Sequence, residues 1–171
     1  IHAANRGENI TVVFVNNTVL AAAPHALVAA GFGDMIGKYT ATADWRLSRV
    51  VTGEAIDEGI VSRSLEAVEA CVSDVDRIRA HESEGMRTLI GGLIESGDCM
   101  REWGGSRPGS GSEHLFSHFW EARAHESGRE APLHGENVAL ASMVMAGLSE
   151  RLAEMGPAGL ERRIRSAEPP D

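Results

Sequence analysis

The 171-residue sequence predicts a mainly α-helical bundle with one short β-strand on its N-terminal side. Three observations lead there. Apolar residues recur at helical intervals from Val19 onward. Only one compact β-branched run, ITVVFVN at residues 10–16, reads as a strand. Aromatic residues make up just 5% of the chain while Ala, Leu, Gly and Met are plentiful, a mixture suited to helix-on-helix packing.

The strand is bounded by Asn9 and the Asn16–Asn17 pair, and it needs a pairing partner because one strand cannot stand alone. APHALVAAG (23–31) predicts a short helix with Pro24 in its first turn and Gly31 as its stop. GDMIGKYTATADWRLSRVV (33–51) predicts a second helix that brings Asp34, Lys38 and Trp45 toward one side. Residues 57–81 carry Ile60, Leu65, Val68, Val72, Val75 and Ile78 at helical spacing, with a charged, solvated opposite face. The next helix, 83–104, is expected to be capped by Ser83. The loop GGSRPGSGS leads into a helix over 113–125, and ESGREAPLHGE separates that from a long apolar helix over 137–155. The tail from Gly156 reads as a short basic helix with a frayed end.

Composition narrows the function. Asp and Glu outnumber Lys and Arg by 25 to 16, a formal charge of −9, which is the wrong sign for binding nucleic acid through its phosphates. Cys71 and Cys99 are scattered in apolar helical patterns and read as buried free thiols rather than a disulfide framework or a metal knuckle. No apolar run reaches the length of a membrane span and no signal peptide is visible, so the expected setting is cytoplasmic.

Three stretches place ligand-capable residues among apolar ones: GFGDMIGK (31–38), GSGSEHLFSH (109–118) and PLHGEN (132–137). Asp34, His114 and His134 each sit near the start of a predicted helix, so they can converge without bending any helix. One carboxylate and two imidazoles suit zinc or ferrous iron, and three protein ligands leave a position open for water or substrate. Singly, each has an ordinary alternative. Asp34 can cap a helix, His134 can be a loop residue, and the His114–His118 pair can pack an interior face.

The order AAGFGDMIGKYTATADWRLSR, SRPGSGSEHLFSH, LHGENVAL resembles the C-terminal, metal-binding half of the glycerol-1-phosphate dehydrogenases. These belong to the superfamily of glycerol dehydrogenases, iron-type alcohol dehydrogenases and dehydroquinate synthases. The match runs from about Ile10 to about Leu148. The resemblance implies a dehydroquinate synthase-like C-terminal domain with metal ligands Asp34, His114 and His134, zinc foremost and ferrous iron or nickel as alternatives. It implies a catalytic, substrate-contacting role for His118. It also implies interconversion of dihydroxyacetone phosphate and glycerol 1-phosphate by hydride exchange with NAD(P), a reaction of phospholipid metabolism. Lys38 and Arg107 are the candidates for holding the phosphate of this small phosphorylated polyol or ketone.

A Gly-rich turn after the strand, which a nucleotide-binding half requires, is absent from ITVVFVNNTVLAAAP. Residues 1–19 are therefore expected to be a remnant β segment linking to a missing nucleotide-binding half, and residues 20–171 an all-helical metal-binding domain. The expected protein is a fragment or split subunit whose NAD(P) is bound by a separate nucleotide-binding subunit, with a homo-oligomer compatible. The alternative is a descendant of the family that keeps the metal without redox chemistry, as a ligand-binding or helical interaction module.

Overall fold

The computed structural model describes residues 23–166, all helix and connecting loop. The elements are α1 (His25–Thr52), α2 (Glu58–Ser73), α3 (Val75–Arg79), α4 (Ser83–Trp103), α5 (Ser112–Glu126) and α6 (His134–Ser166). The mainly helical expectation holds. The strand over 10–16 and the 1–19 segment lie outside the described residues.

α1 is the axis of the bundle and packs on each of the other five helices. It is one helix where two were expected, because Gly31 does not stop it. An interior glycine costs about 1 kcal/mol relative to alanine. Here the helix is held by packing: a Cβ at Gly31 would meet Leu89 and Leu93 of α4 at 3.5–3.7 Å. Pro24 stands just before the first helical residue, and Gly53 ends the helix at φ 75°, its N–H returning to the Arg49 carbonyl.

The helix expected over 57–81 starts as predicted but divides. The Asp57 carboxylate accepts from the N–H groups of Gly59 and Ile60 at 2.8 and 3.1 Å, a side-chain N-cap. At the other end Asp74 turns out of helical geometry, and its carboxylate is held from both sides, by the Thr88 hydroxyl at 2.6 Å and Arg77 at 3.3 Å. The short α3 follows. Ser83 is not the cap of α4; it is already helical, and Glu82 precedes it without a side-chain cap bond. Gly156 (φ 65°, ψ 172°) kinks α6, and the expected tail helix continues from that kink.

Two apolar clusters form the core. Val28, Met35, Val68, Cys71, Ile78, Met86 and Leu89 join α1 to α2, α3 and α4. Trp45, Ile60, Val61 and Cys99 fill the other end, where Trp103 meets Trp45 edge-on at 4.7 Å and the Trp45 indole donates to the Ala55 carbonyl. The charged face of α2 is solvated as expected, with Arg63 bridging to Glu95 and Glu102 of α4. Such exposed pairs contribute little. No helix among the described residues is long and apolar enough to cross a membrane.

Both cysteines are free and buried. Burial, with the Asp74 charge adding to it, pushes the Cys71 thiol up to about 11. Burial likewise raises Cys99. A disulfide-exchange reagent at pH 8 is therefore expected to modify neither thiol in the native protein and both in denaturant. Rapid native labelling of either would show that its helix packing opens readily.

Candidate metal centre

The site is built where α1 and α6 cross. Gly33 and Gly135 face each other at the crossing. A Cβ on Gly135 would coincide with the Ala30 carbonyl, and one on Gly33 would strike the Gly135 carbonyl oxygen. One turn on, Gly37 receives Val138, whose Cγ1 would lie 2.7 Å from an added Cβ. Each glycine has a ligand-capable neighbour, Asp34 beside Gly33 and His134 beside Gly135. Close backbone approach thus carries the two side chains to one place. α5 packs on both helices and supplies His114 from its first turn.

Asp34, His114 and His134 each offer a ligand atom, and the three atoms lie within 4.8 Å of one another. His114 Nε2 is 3.3 Å from Asp34 Oδ1. The other Asp34 oxygen accepts from Lys38 Nζ at 3.1 Å, and the same ammonium donates to the Gly109 carbonyl at 3.0 Å. On the far side of the His114 ring, Nδ1 is 2.8 Å from Glu113, whose carboxylate also accepts the Gly111 N–H at 2.7 Å. His134 is held in the same manner: its Nδ1 is 2.7 Å from Glu121, which Ser117 also bonds at 2.9 Å. Each imidazole therefore has Nδ1 committed to a carboxylate and Nε2 left for the site. This arrangement fixes ring orientation at metal centres.

Charge inside this cluster is balanced by contact. Burial alone would raise the Asp34 carboxyl, but hydrogen bonds from His114 and Lys38 and the nearby lysine charge hold it well below the usual carboxylate range. Burial opposes a charged His114, yet its bonds to Asp34 and Glu113 lift its pKa above the ordinary histidine value. Burial would likewise raise Glu113, and bonds from His114 and Gly111 lower it on balance. Glu121 is also lowered, its burial outweighed by His134 and Ser117. One carboxylate and two imidazoles within mutual reach fit a borderline divalent cation such as zinc, ferrous iron or nickel.

The remaining candidates separate. His118 lies beside the set: its ring stacks on His134 with centroids 5.5 Å apart and meets His114 edge-on at 6.1 Å. Lys38 is also at the site, but fully buried and bonded to Asp34 rather than facing outward. Arg107 is elsewhere. Its guanidinium makes paired bonds of 2.8 and 2.6 Å to Glu54 and a third to Ser48. Ser48 lies fourteen positions beyond Asp34 on α1, roughly 21 Å along the axis at 1.5 Å per residue. Sequence reasoning missed Glu113 and Glu121. For Glu121 a signal was present in α5, where His114, Ser117, His118 and Glu121 form a polar stripe at i, i+3, i+4 and i+7, the spacing usually reserved for an apolar face.

Fold and site together give a helical domain in which one carboxylate and two imidazoles converge, His114 and His134 from helix starts and Asp34 from the interior of α1 rather than from the helix start expected for it. Similar sequences give the family. The chain is 39% identical over 136 residues to a glycerol-1-phosphate dehydrogenase [NAD(P)+] of Halalkalibacterium halodurans, covering 80% of this chain and 34% of that protein. It is 37% identical over 156 residues to the Bacillus licheniformis protein of the same name (90% of this chain, 39% of the relative). It is 38% identical over 134 residues to the Thermococcus sibiricus one (78% and 37%). No protein-family model matches the chain. The chain belongs with the glycerol-1-phosphate dehydrogenases, aligning to their C-terminal part, and spans little more than a third of their length.

The glycine crossing gives a direct test. Gly135→Ala must push α6 off α1, and overpacking of this kind typically costs about 1–3 kcal/mol. Denaturant unfolding is expected to show at least that loss, whereas Gly91→Ala, with open space at its Cβ, is expected to be neutral or stabilising. Equal midpoints for both variants would mean that the crossing is not tight.

Proposed function

We propose that this chain is the metal- and substrate-binding part of a metal-dependent, NAD(P)-linked oxidoreductase of the glycerol-1-phosphate dehydrogenase type. In this reading it interconverts dihydroxyacetone phosphate and glycerol 1-phosphate, with NAD(P) held by a nucleotide-binding part beyond these 171 residues. The observation that carries the reading is the convergence of Asp34, His114 and His134 from α1, α5 and α6. The names of the relatives supply the reaction class and cofactor. A cytoplasmic setting, with both thiols free, fits it.

Asp34, His114 and His134 would hold the divalent cation, zinc foremost with ferrous iron or nickel as alternatives. When bound it supplies Lewis-acid polarisation of a substrate carbonyl or hydroxyl oxygen. The rest of the work belongs to the side chains. Lys38 holds one Asp34 oxygen and turns the other toward His114. Glu113 and Glu121 hold Nδ1 of the two rings, which leaves Nε2 of each as the atom for the cation. His118, next to His134, contacts the substrate and holds the proton that its oxygen gains or loses. Lys38, fully buried between Asp34 and the Gly109 carbonyl, acts through Asp34 rather than as the phosphate holder expected of it. Arg107 has no part here, since its fork is filled by Glu54.

Purified protein is expected to bind one divalent ion per chain. Asp34→Ala and His134→Ala should each weaken that binding roughly a hundredfold or more, since even outer partners of a metal ligand are worth 10–100-fold. Elemental analysis after dialysis checks this, and equal metal content in all three proteins sinks the reading. Glu113→Gln keeps the shape but removes the charge behind His114. It is expected to cost about 10–100-fold in affinity by chelator competition, with unchanged affinity showing that Glu113 only fills space.

A further inference from the structure

The geometry points to a second cation position in this chain, formed by His118, Glu121 and His134, which shares His134 with the first and stands nearer to solvent. The three residues each offer a ligand atom, and these atoms lie within 4.8 Å of one another. His118 and Glu121 are three residues apart on α5 and so occupy one face of the helix. His134 comes to that face from the start of α6, with Nδ1 2.7 Å from Glu121 Oε1 and its ring stacked on His118 at an interplanar angle of 22°. The donor chemistry repeats that of the first set, two imidazoles and a carboxylate, and suits the same borderline divalent ions.

Bond lengths near 2.0–2.2 Å to nitrogen and oxygen place tetrahedral donors about 3.4 Å apart, so the Glu121–His134 contact must open by less than about 1 Å. Glu121 is a long side chain, 29% exposed, and can give way by that much. The proton now shared between Glu121 and His134 is what an ion there replaces. A neutral imidazole has one nitrogen lone pair to offer, so His134 serves one position or the other, not both. The two positions are alternatives, and they differ in depth. His114 and Asp34 are 8% and 20% exposed, against 43% for the His134 side chain. The outer position is thus a staging point. An ion is taken from water by His118, Glu121 and His134 Nδ1, and passes inward to Asp34 and His114 when the His134 proton moves to Nδ1 and frees Nε2.

The proposal rests on the Asp34–His114–His134 reading for what lies at the inner end, and the test separates the two. Zinc is titrated against a chromophoric chelator into the full chain, into Asp34→Asn/His114→Gln, and into that double variant carrying His118→Ala or Glu121→Gln. Circular dichroism monitors folding, and Asp34→Asn alone serves as the background if the double variant does not fold. The double variant is expected to bind one zinc, at least a hundredfold more weakly than the parent, and either added substitution to weaken it tenfold or more. No measurable zinc binding by the folded background, or binding unaffected by His118→Ala, overturns the outer position. Parent-like affinity in the background overturns the inner reading instead.

Discussion

The glycine-on-glycine crossing of α1 and α6 is the constraint from which the rest of the site follows. Helices whose side chains interdigitate keep their axes roughly 8–10 Å apart. At Gly33 and Gly135 there is no side chain to interdigitate, and neither position has room for a Cβ. The residues adjoining the contact are then forced toward a common space, and they are Asp34 and His134. Val138 against Gly37 extends the contact by a turn. Without this approach, ligands on two separate helices would be held apart by the very packing that stabilises a bundle.

Bringing an aspartate and a lysine into that space has an electrostatic cost that packing does not cover. Ionised groups withdrawn from water are tolerated when they are paired and hydrogen-bonded. Each buried charge here has such a partner: Lys38 has Asp34 and a carbonyl, and Glu113 has His114 and the Gly111 N–H. Gly111 is itself confined, since a Cβ there would press on Asp44, Ala41 and Glu113. Asp44 in turn accepts the Ser112 N–H at 2.7 Å, which ties the start of α5 to α1. The loop between α4 and α5 is therefore a set of backbone donors and acceptors that finish the site.

The convergence of Asp34, His114 and His134 was legible because all three lie in distinctive polar stretches, two of them at helix starts, whereas Asp34 was expected at a helix start and lies inside α1. The sequence misled where tertiary contacts override local preference. Gly31 looks like a stop, yet α1 runs through it because Leu89 and Leu93 pack across it. The apolar period over 57–81 is continuous, yet the chain breaks at Asp74 because that carboxylate is claimed by Thr88 of a different helix. Lys38 was legible as important but not as buried, since a lysine is normally read as surface. Arg107 was misplaced for the opposite reason: its loop is adjacent to the site, but its side chain reaches back to Glu54. Glu121 was legible only as part of the polar stripe on α5, and Glu113, next to His114 and off that stripe, carries no spacing signal.

The site is also graded from inside to outside. His114 and Asp34 are enclosed by α1 and α5, while His134 heads a helix that follows an exposed connection, and its ring is nearly half exposed. A cation between Asp34 Oδ1 and His114 Nε2 would leave the Lys38–Asp34 and His114–Glu113 contacts intact, so its entry would depend on the third residue. His134 is exposed enough for its ring to turn about its own side-chain bonds while Asp34 and His114 stay fixed. In the proposed metal-binding reading, rigidity at Asp34 and His114 would serve selectivity and freedom at His134 would serve exchange. The Glu121–His134 bond at 2.7 Å is the latch between these two demands. It is strong enough to orient the ring, and near enough to water to be broken.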